Sequence, residues 1–452
     1  MSPASCHARF HPARGGASRS QFATGILLAA AKYITKVQSL ATPAHHLRVS
    51  HHIREKVMRD VVIVAAGRSP IGKKNGALSA AHPTELLAQV IAEVLKRAGV
   101  EPANVGQVVG GCINKVGAQA MNVTRTAWLA AGGPVEVPCS TVDSQCGSSQ
   151  YAVNLAASLV ASGAEEVVLA CGVENMSLLP IGSDAVAGAQ AGFGKPITRK
   201  YREHFEFTSQ FEGAERIATK YGITRDDTDR FGLESQLRAA RAIAESRFES
   251  QLVPVEVPVP SADGKQRSSE MRTISRDEVP RKTSMEALAG LKPVARADGI
   301  HTAGSSSQVA DGGAAVLLMN EAKARELGCQ PRARVIDTCL VGCDPVLMLE
   351  GPIPATRKLL DKSGLRINDI DVFEINEAFA SVVLSWARTL EPDMERVNPN
   401  GGAIALGHPL GATGCGLVTK ALHELERSNS QRALVTMCCG GGLGTGTLIE
   451  RM

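Results

Sequence analysis

The sequence predicts an α/β fold in which one unit is used twice. Three observations carry this reading. Apolar strand-like runs alternate with helical patterns in the regions 58–175 and 332–452, the sign of a layered α/β core. Three pairs of landmarks recur in the same order: Val62–Gly67 with Val335–Gly342, Leu95–Val105 with Leu360–Ile370, and Glu166–Gly172 with Arg432–Gly440. The chain has 452 residues, 44% of them apolar, enough for two or three domains at about 150 residues each. Chance similarity between βα units is the competing explanation of the pairs.

Taken in order, residues 1–57 form an acid-poor N-terminal extension with eight Lys/Arg and the single acid Glu55. Three readings stand: an organellar transit peptide, a signal peptide built on the apolar run Phe22–Ala31, or sequence upstream of a true start at Met58. A start at Met58 implies a cytoplasmic, bacterial protein, and a transit peptide implies the mitochondrial matrix. From Met58 the pattern changes, and Val61–Val64 reads as a buried strand. Residues 58–175 and 332–452 are the two similar halves. Between them, 176–331 reads as an inserted segment suited to substrate recognition. Within it, 208–249 has helical periodicity (Phe231, Leu233, Leu237, Ala240, Ile243), and 253–285 is Pro- and Ser-rich and reads as loop.

Composition excludes several classes. Net charge is +4, with 49 Lys+Arg against 45 Asp+Glu. Without the tail it is mildly acidic, so no nucleic-acid partner is expected. No run of about 20 apolar residues is present, so no membrane span is expected. The eleven cysteines are scattered, without CxxC pairs or zinc-type spacing, and read as reduced and metal-free.

Four segments carry chemistry. In Ser144–Ser149, Cys146 stands where a loop gives way to a helix. A helix N-terminus favours thiolate and lowers a thiol pKa of about 8.5. A buried structural cysteine is the alternative. Asn398–Gly414 is a Gly-rich loop around His408, followed by Pro409, which suits the first position of a helix. A histidine there is either a general base with a pKa near neutrality or a satisfied structural residue. Cys438–Gly444 ends a strand in glycines that let backbone N–H groups approach a ligand, as an oxyanion hole needs. In Phe373–Ala380, Asn376 is either a functional group or a helix N-cap. The glycine runs are neither a P-loop nor GxGxxG.

Together, QCGSS at 145–149, NEAFA at 376–380, NPNGGAIALGHPLGATG at 398–414 and CCGGGLG at 438–444 resemble the thiolase family. The resemblance spans about 58–452. It implies a thiolase-like fold: two similar α/β halves stacked as five layers (α/β/α/β/α) with an inserted loop domain. It also implies a homodimer or homotetramer, no cofactor, and CoA and acyl-CoA thioesters as substrates. Carried onto this sequence, it makes Cys146 the acyl-accepting nucleophile, His408 its base and Cys438 the second acid/base. Asn376 would hold a water in one oxyanion hole, and the N–H groups of Cys146 and Gly440 would form the other. Ser307, in the Gly304–Ser307 loop, and Arg281 are the implied CoA contacts. Asp143 stands where the family often has Asn, and Ser305–Ser307 stands where it often has GN-A-S. These departures favour degradative cleavage of 3-ketoacyl-CoA to acetyl-CoA and a shortened acyl-CoA. The alternatives are acetoacetyl-CoA formation and a steroid-derived acyl group. A carrier-protein condensing enzyme is disfavoured by Cys438, and a catalytically dead relative by the presence of all three reactive residues.

Overall fold

The computed structural model describes residues 60–260 and 267–452. The readings of residues 1–57 lie outside the described residues.

Val61–Arg68 forms β1, buried at every position. It is followed by the two-residue β2 (Gly72–Lys73) and helix α1 (Pro83–Ala98). His82 caps α1 by accepting from the Thr84 N–H, Pro83 opens its first turn, and Lys96 and Arg97 sit at its negative end, as helix-end physics favours. β3 (Gln107–Gly111), α2 (Val123–Ala130), β4 (Cys139–Val142), α3 (Ser148–Ala161) and β5 (Val167–Asn175) complete the first run. The intervening segment holds α4 (Gln210–Tyr221), α5 (Arg225–Ala244) and a hairpin of β6 (Val255–Pro260) and β7 (Arg267–Ile274). Then come β8 (Ala310–Asn320), β9 (Ala333–Gly342), α6 (Pro352–Ser363), β10 (Val372–Ile375), α7 (Ala380–Leu390), α8 (Leu410–Ser428), β11 (Arg432–Cys439) and β12 (Leu443–Arg451).

The strands run in the order β4-β3-β5-β8-β1-β9-β12-β11-β10. β1 and β9 share only two residue pairs, Val62 with Arg334 and Ile63 with Ala333, so the path divides there into two sheets. Their connectivity repeats. β3 is parallel to β5, and β5 antiparallel to β8. In the same way β10 is parallel to β11, and β11 antiparallel to β12.

Three apolar clusters stack the layers. Val62, Leu169, Leu317 and Met319 face α1 and α2. Their neighbours Ile63, Val168, Val316 and Leu318 face the central helices α3 and α8, as the two-residue period of a strand requires. A bulge at Val64 puts Val64 and Ala65 on one face. On the second sheet Val335, Ala433 and Val435 face the same central helices, while Phe373, Leu434 and Leu448 face α6 and α7. The result is α/β/α/β/α, with α3 and α8 buried between two sheets.

Three local expectations differ from the structure. Residues 310–320, read as part of the 176–331 segment, form β8 in the middle of the first sheet. The 253–285 stretch is not all loop, because Val255–Pro260 pairs antiparallel with Arg267–Ile274 as a hairpin despite its prolines. On α5 the apolar stripe is not the packing face. Leu237 is 54% and Ile243 45% exposed, whereas Gly232, Ser235, Gln236 and Ala239 are buried. That face is small and polar because it packs against active-site loops.

Candidate active site

Cys146, Asn376 and Cys438 sit at or just beyond the C-terminal ends of strands, and His408 precedes α8. β4 ends four residues before Cys146, and β10 ends immediately before Asn376. Cys438 is in the last turn of pairing of β11. The Asn376 N–H donates to the Thr436 carbonyl at 3.1 Å, which fixes Asn376 beside the end of β11.

Cys146 rides on a buckled turn. Gln145 has φ 52°, a conformation that non-glycine residues adopt rarely. Ser148 holds the turn: its hydroxyl donates to the Gln145 carbonyl at 2.5 Å and accepts from the Ser144 N–H at 3.0 Å. The Asp143 carboxylate accepts from the Gln145 N–H at 2.7 Å. Helix α3 begins at Ser148 with Gly147 as cap, so Cys146 precedes the helix rather than opening it. A β-carbon on Gly147 would lie 2.5 Å from Cys439 Sγ, so this turn admits no side chain there.

The expected low thiol pKa is not found. Burial pushes the half-buried Cys146 thiol up to about 11, against the pull of N–H groups of Gly440 and of Cys146 itself. Free enzyme therefore holds Cys146 as a thiol. Its alkylation by iodoacetamide should rise steadily from pH 7 to pH 9, read by mass spectrometry of the Cys146 peptide. A rate that is flat across this range would mean a preformed thiolate.

His408 is buried, and its tautomer can be read from its neighbours. Thr413 Oγ1 donates to the Pro409 carbonyl at 2.8 Å. The same oxygen lies 2.7 Å from His408 Nδ1, so it accepts there and Nδ1 carries the hydrogen. Nε2 keeps a lone pair, met by Asn376 Nδ2 at a long 3.3 Å. Burial lowers the imidazole pKa to about 4, below the neutral range expected from sequence. His408 is thus a neutral base across the physiological range. Pro409 is the cap of α8, one residue earlier than the expected first position. Asn376 is not an N-cap, since α7 starts at Ala380 behind Phe379. Its Oδ1 is buried without a protein hydrogen-bond partner, an acceptor free for a bound molecule.

Cys438 is fully buried among Ala214, Ile217, Met348, Phe379 and Val382. Burial raises its thiol pKa well above the ordinary value, and the neighbouring Cys146 raises it further. The Gly304–Ser307 loop is laced to the other segments by backbone bonds: Ser307 N–H to Ala378 O at 2.9 Å, Ala380 N–H to Ser305 O at 2.9 Å, and His408 N–H to Gln308 O at 3.0 Å. Arg281 is exposed at the rim and donates to the Ala303 carbonyl at 2.8 Å. The structure therefore gathers Cys146, Asn376, His408, Cys438 and Gly440, with Ser307 beside them and Arg281 at the edge. Among the described residues no group of three or more His, Cys, Asp or Glu could hold a metal ion. No described helix is long and apolar enough to cross a membrane.

Sequence reasoning assigns no role to three residues that the structure places beside the site. Thr413 sets the His408 tautomer. Its signal was its position in the first turn of α8, where side chains point back toward preceding residues. Thr413→Val should lower turnover roughly ten- to hundredfold, the usual cost of a hydrogen bond to a group that becomes charged. Steady-state kinetics against 3-ketoacyl-CoA would check this, and unchanged turnover would refute the tautomer assignment. Glu377 accepts from Ser235 Oγ, Asn398 Nδ2 and the Ile404 N–H, tying NEAFA to α5 and the His408 loop. Glu174 accepts from the Gly411 N–H at 3.0 Å, just beyond His408.

The family "Thiolase, N-terminal domain" matches residues 61–322, and "Thiolase, C-terminal domain" matches residues 329–451. The chain is 45% identical over 403 residues to the steroid 3-ketoacyl-CoA thiolase FadA6 of Mycobacterium tuberculosis, covering 88% of this chain and 96% of that protein. It is 42% identical to an acetyl-CoA acetyltransferase of Pseudomonas aeruginosa, covering 87% of this chain and all of that one. The crystal structure of the Bacillus anthracis acetyl-CoA acetyltransferase superposes with a TM-score of 0.79 at 38% identity, over 87% of this chain and 99% of that chain. On fold and sequence together, this chain belongs to the thiolase family.

Proposed function

We propose that this thiolase cleaves 3-ketoacyl-CoA with CoA, giving acetyl-CoA and a shortened acyl-CoA through an acyl-Cys146 intermediate. The observation that carries the reading is the convergence of two cysteines beyond strand ends with one neutral, tautomer-fixed histidine ahead of α8. C–C cleavage beside a carbonyl needs an acyl acceptor, a proton donor for the carbanion, and donors aimed at two oxyanions.

His408 Nε2 takes the Cys146 proton as the sulfur attacks the ketone carbonyl. With a thiol near 11 and an imidazole near 4, a resting ion pair is strongly disfavoured, so proton transfer accompanies attack. The N–H groups of Cys146 and Gly440 receive the oxygen that becomes negative at the attacked carbon. The C–C bond breaks, and Cys438 protonates the acetyl-CoA enolate. The protonated Nε2 and a water held by Asn376 steady the enolate oxygen. The CoA thiol then attacks the acyl-Cys146 thioester and gives its proton to the Cys438 thiolate; the acyl group passes to the CoA sulfur, and Cys146 leaves, taking its proton back from His408. Ser307 and Arg281 act as contacts for CoA, with the loop segment 176–309 as its seat. We further propose a homodimer or homotetramer. Support comes from β4, whose outer edge is unpaired among the described residues, and from Met121, 90% exposed, and Val135, 66% exposed, beside it.

A steroid-derived acyl group is the second reading, favoured by the 45% identity to a steroid 3-ketoacyl-CoA thiolase. A kinetic series of straight-chain and steroid-derived 3-ketoacyl-CoA substrates decides between them. The first reading expects kcat/KM to peak on a straight chain, and a peak on the steroid thioester would replace it. Turnover of neither would reject both.

A further inference from the structure

Glu174 is a buried carboxylate that the reaction above does not use. It is the penultimate residue of β5 and has no solvent exposure. Five N–H donors converge on it. Oε1 accepts from Gln119 Nε2 at 2.6 Å, from Asn114 Nδ2 at 3.2 Å and from the Asn114 N–H at 3.2 Å. Oε2 accepts from the N–H groups of Gly411 at 3.0 Å and Ile113 at 3.1 Å. Neither amide can turn to offer an oxygen instead. Gln119 Oε1 accepts from the Asn175 N–H at 2.8 Å, and Asn114 Oδ1 from the Gly182 N–H at 3.0 Å. A protonated acid would need an acceptor for its O–H, and none of its partners is one. Burial pushes the carboxyl pKa up, but five fixed donors, one of them in the first turn of the 19-residue α8, hold the anion.

The three segments so joined surround the nucleophile. Ile113, itself a Glu174 partner, Leu410, which adjoins the partner Gly411, and Met176, two residues beyond Glu174, form the apolar group against which Cys146 packs. We propose that Glu174 is a positioning residue, held as a carboxylate, that fixes the walls around Cys146 and sets a negative charge behind them. The inference rests on the reading of Cys146 as the nucleophile. Burial is the main cause of the raised Cys146 thiol, and the Glu174 charge adds to it, since a like charge nearby disfavours a thiolate. The other titratable or charged groups facing these two are Cys112, with Lys115, on the loop after β3; Asp143 on the turn before Cys146; and Cys438 and Cys439 on β11. His408 lies three residues before Gly411 on the approach to α8.

The test compares wild type, Glu174→Gln and Glu174→Asp. Iodoacetamide alkylation of Cys146 is followed by peptide mass spectrometry from pH 6.5 to 10, beside kcat. In Glu174→Gln the alkylation profile should move down by about one pH unit, roughly tenfold faster at pH 8, while kcat falls. Glu174→Asp keeps the charge, so its profile should stay at the wild-type position while kcat falls. A purely structural residue would slow alkylation or leave the profile in place. An unmoved or raised profile in Glu174→Gln, or equal downward moves in both variants, would overturn the proposal. So would failure of both to fold, since the carboxylate would then be a folding element. Absence of alkylation at Cys146 in the wild type at every pH would instead strike the nucleophile reading itself.

Discussion

Cys146→Ala should lose thiolytic turnover altogether, and Cys438→Ala should lose roughly 10²–10⁴-fold, the usual worth of a general acid or base. The two losses differ in kind. Without Cys146 nothing accepts the acyl group, and no nearby thiol replaces it: Cys438 and Cys439 are both fully buried, and their pKa values are raised by burial. Without Cys438, His408 keeps its Nδ1–H on Thr413, and the nucleophile keeps its turn. What fails is protonation of the departing enolate, and in reverse the removal of a proton from the second acetyl-CoA. Both directions should therefore slow together in Cys438→Ala. A variant slowed in one direction only would contradict the role, because the forward and reverse reactions share the step.

Lys420→Met should destabilise the fold by about 3–5 kcal/mol at pH 8, the cost of leaving a buried charge without its partner. Lys420 Nζ lies 2.8 Å from Glu374 Oε2, and the side chains are 5% and 0% exposed. Glu374 Oε1 has no partner already. Burial raises the Glu374 carboxyl from an ordinary 4.5 to about 7, with Lys420 pulling the other way. The folded state thus binds this proton at a pH where the unfolded chain has released it. In the wild type this group's contribution falls as pH rises from about 4.5 to about 7. In Lys420→Met the opposing pull is gone, so the midpoint moves higher and the deficit should be smaller at pH 6 than at pH 8. Urea denaturation at both values measures it, and equal deficits would show that Glu374 stays ionised at both.

The sequence made the layered core legible because strand periodicity is a local signal. The unbroken apolar run at the start of Val61–Arg68 needs no distant information, nor do the glycines after α1 and α6, which end those helices at φ 66° and 70°. The motifs exposed Cys146, His408, Asn376 and Cys438 because reactive types stood among glycines. What stayed hidden depends on partners far along the chain. β8 lies inside a segment of different texture, and only its pairing with β1 and β5 makes it part of the first sheet. The polar packing face of α5 makes sense only once Ser235 meets Glu377, 142 residues on. The pKa values of Cys146 and His408 depart from the sequence expectation for the same reason. A helix end and a Gly-rich loop suggest accessibility, whereas burial between two halves of the chain sets the charge state.

The most direct measurement is intact-protein mass spectrometry with peptide mapping after each variant is mixed with acetyl-CoA. The account predicts one acetyl group on the Cys146 peptide in the wild type and in Cys438→Ala, and none in Cys146→Ala. Acetylation of Cys146→Ala at another residue, or failure of Cys438→Ala to take up acetyl, would contradict the assignment of nucleophile and acid/base to these two cysteines.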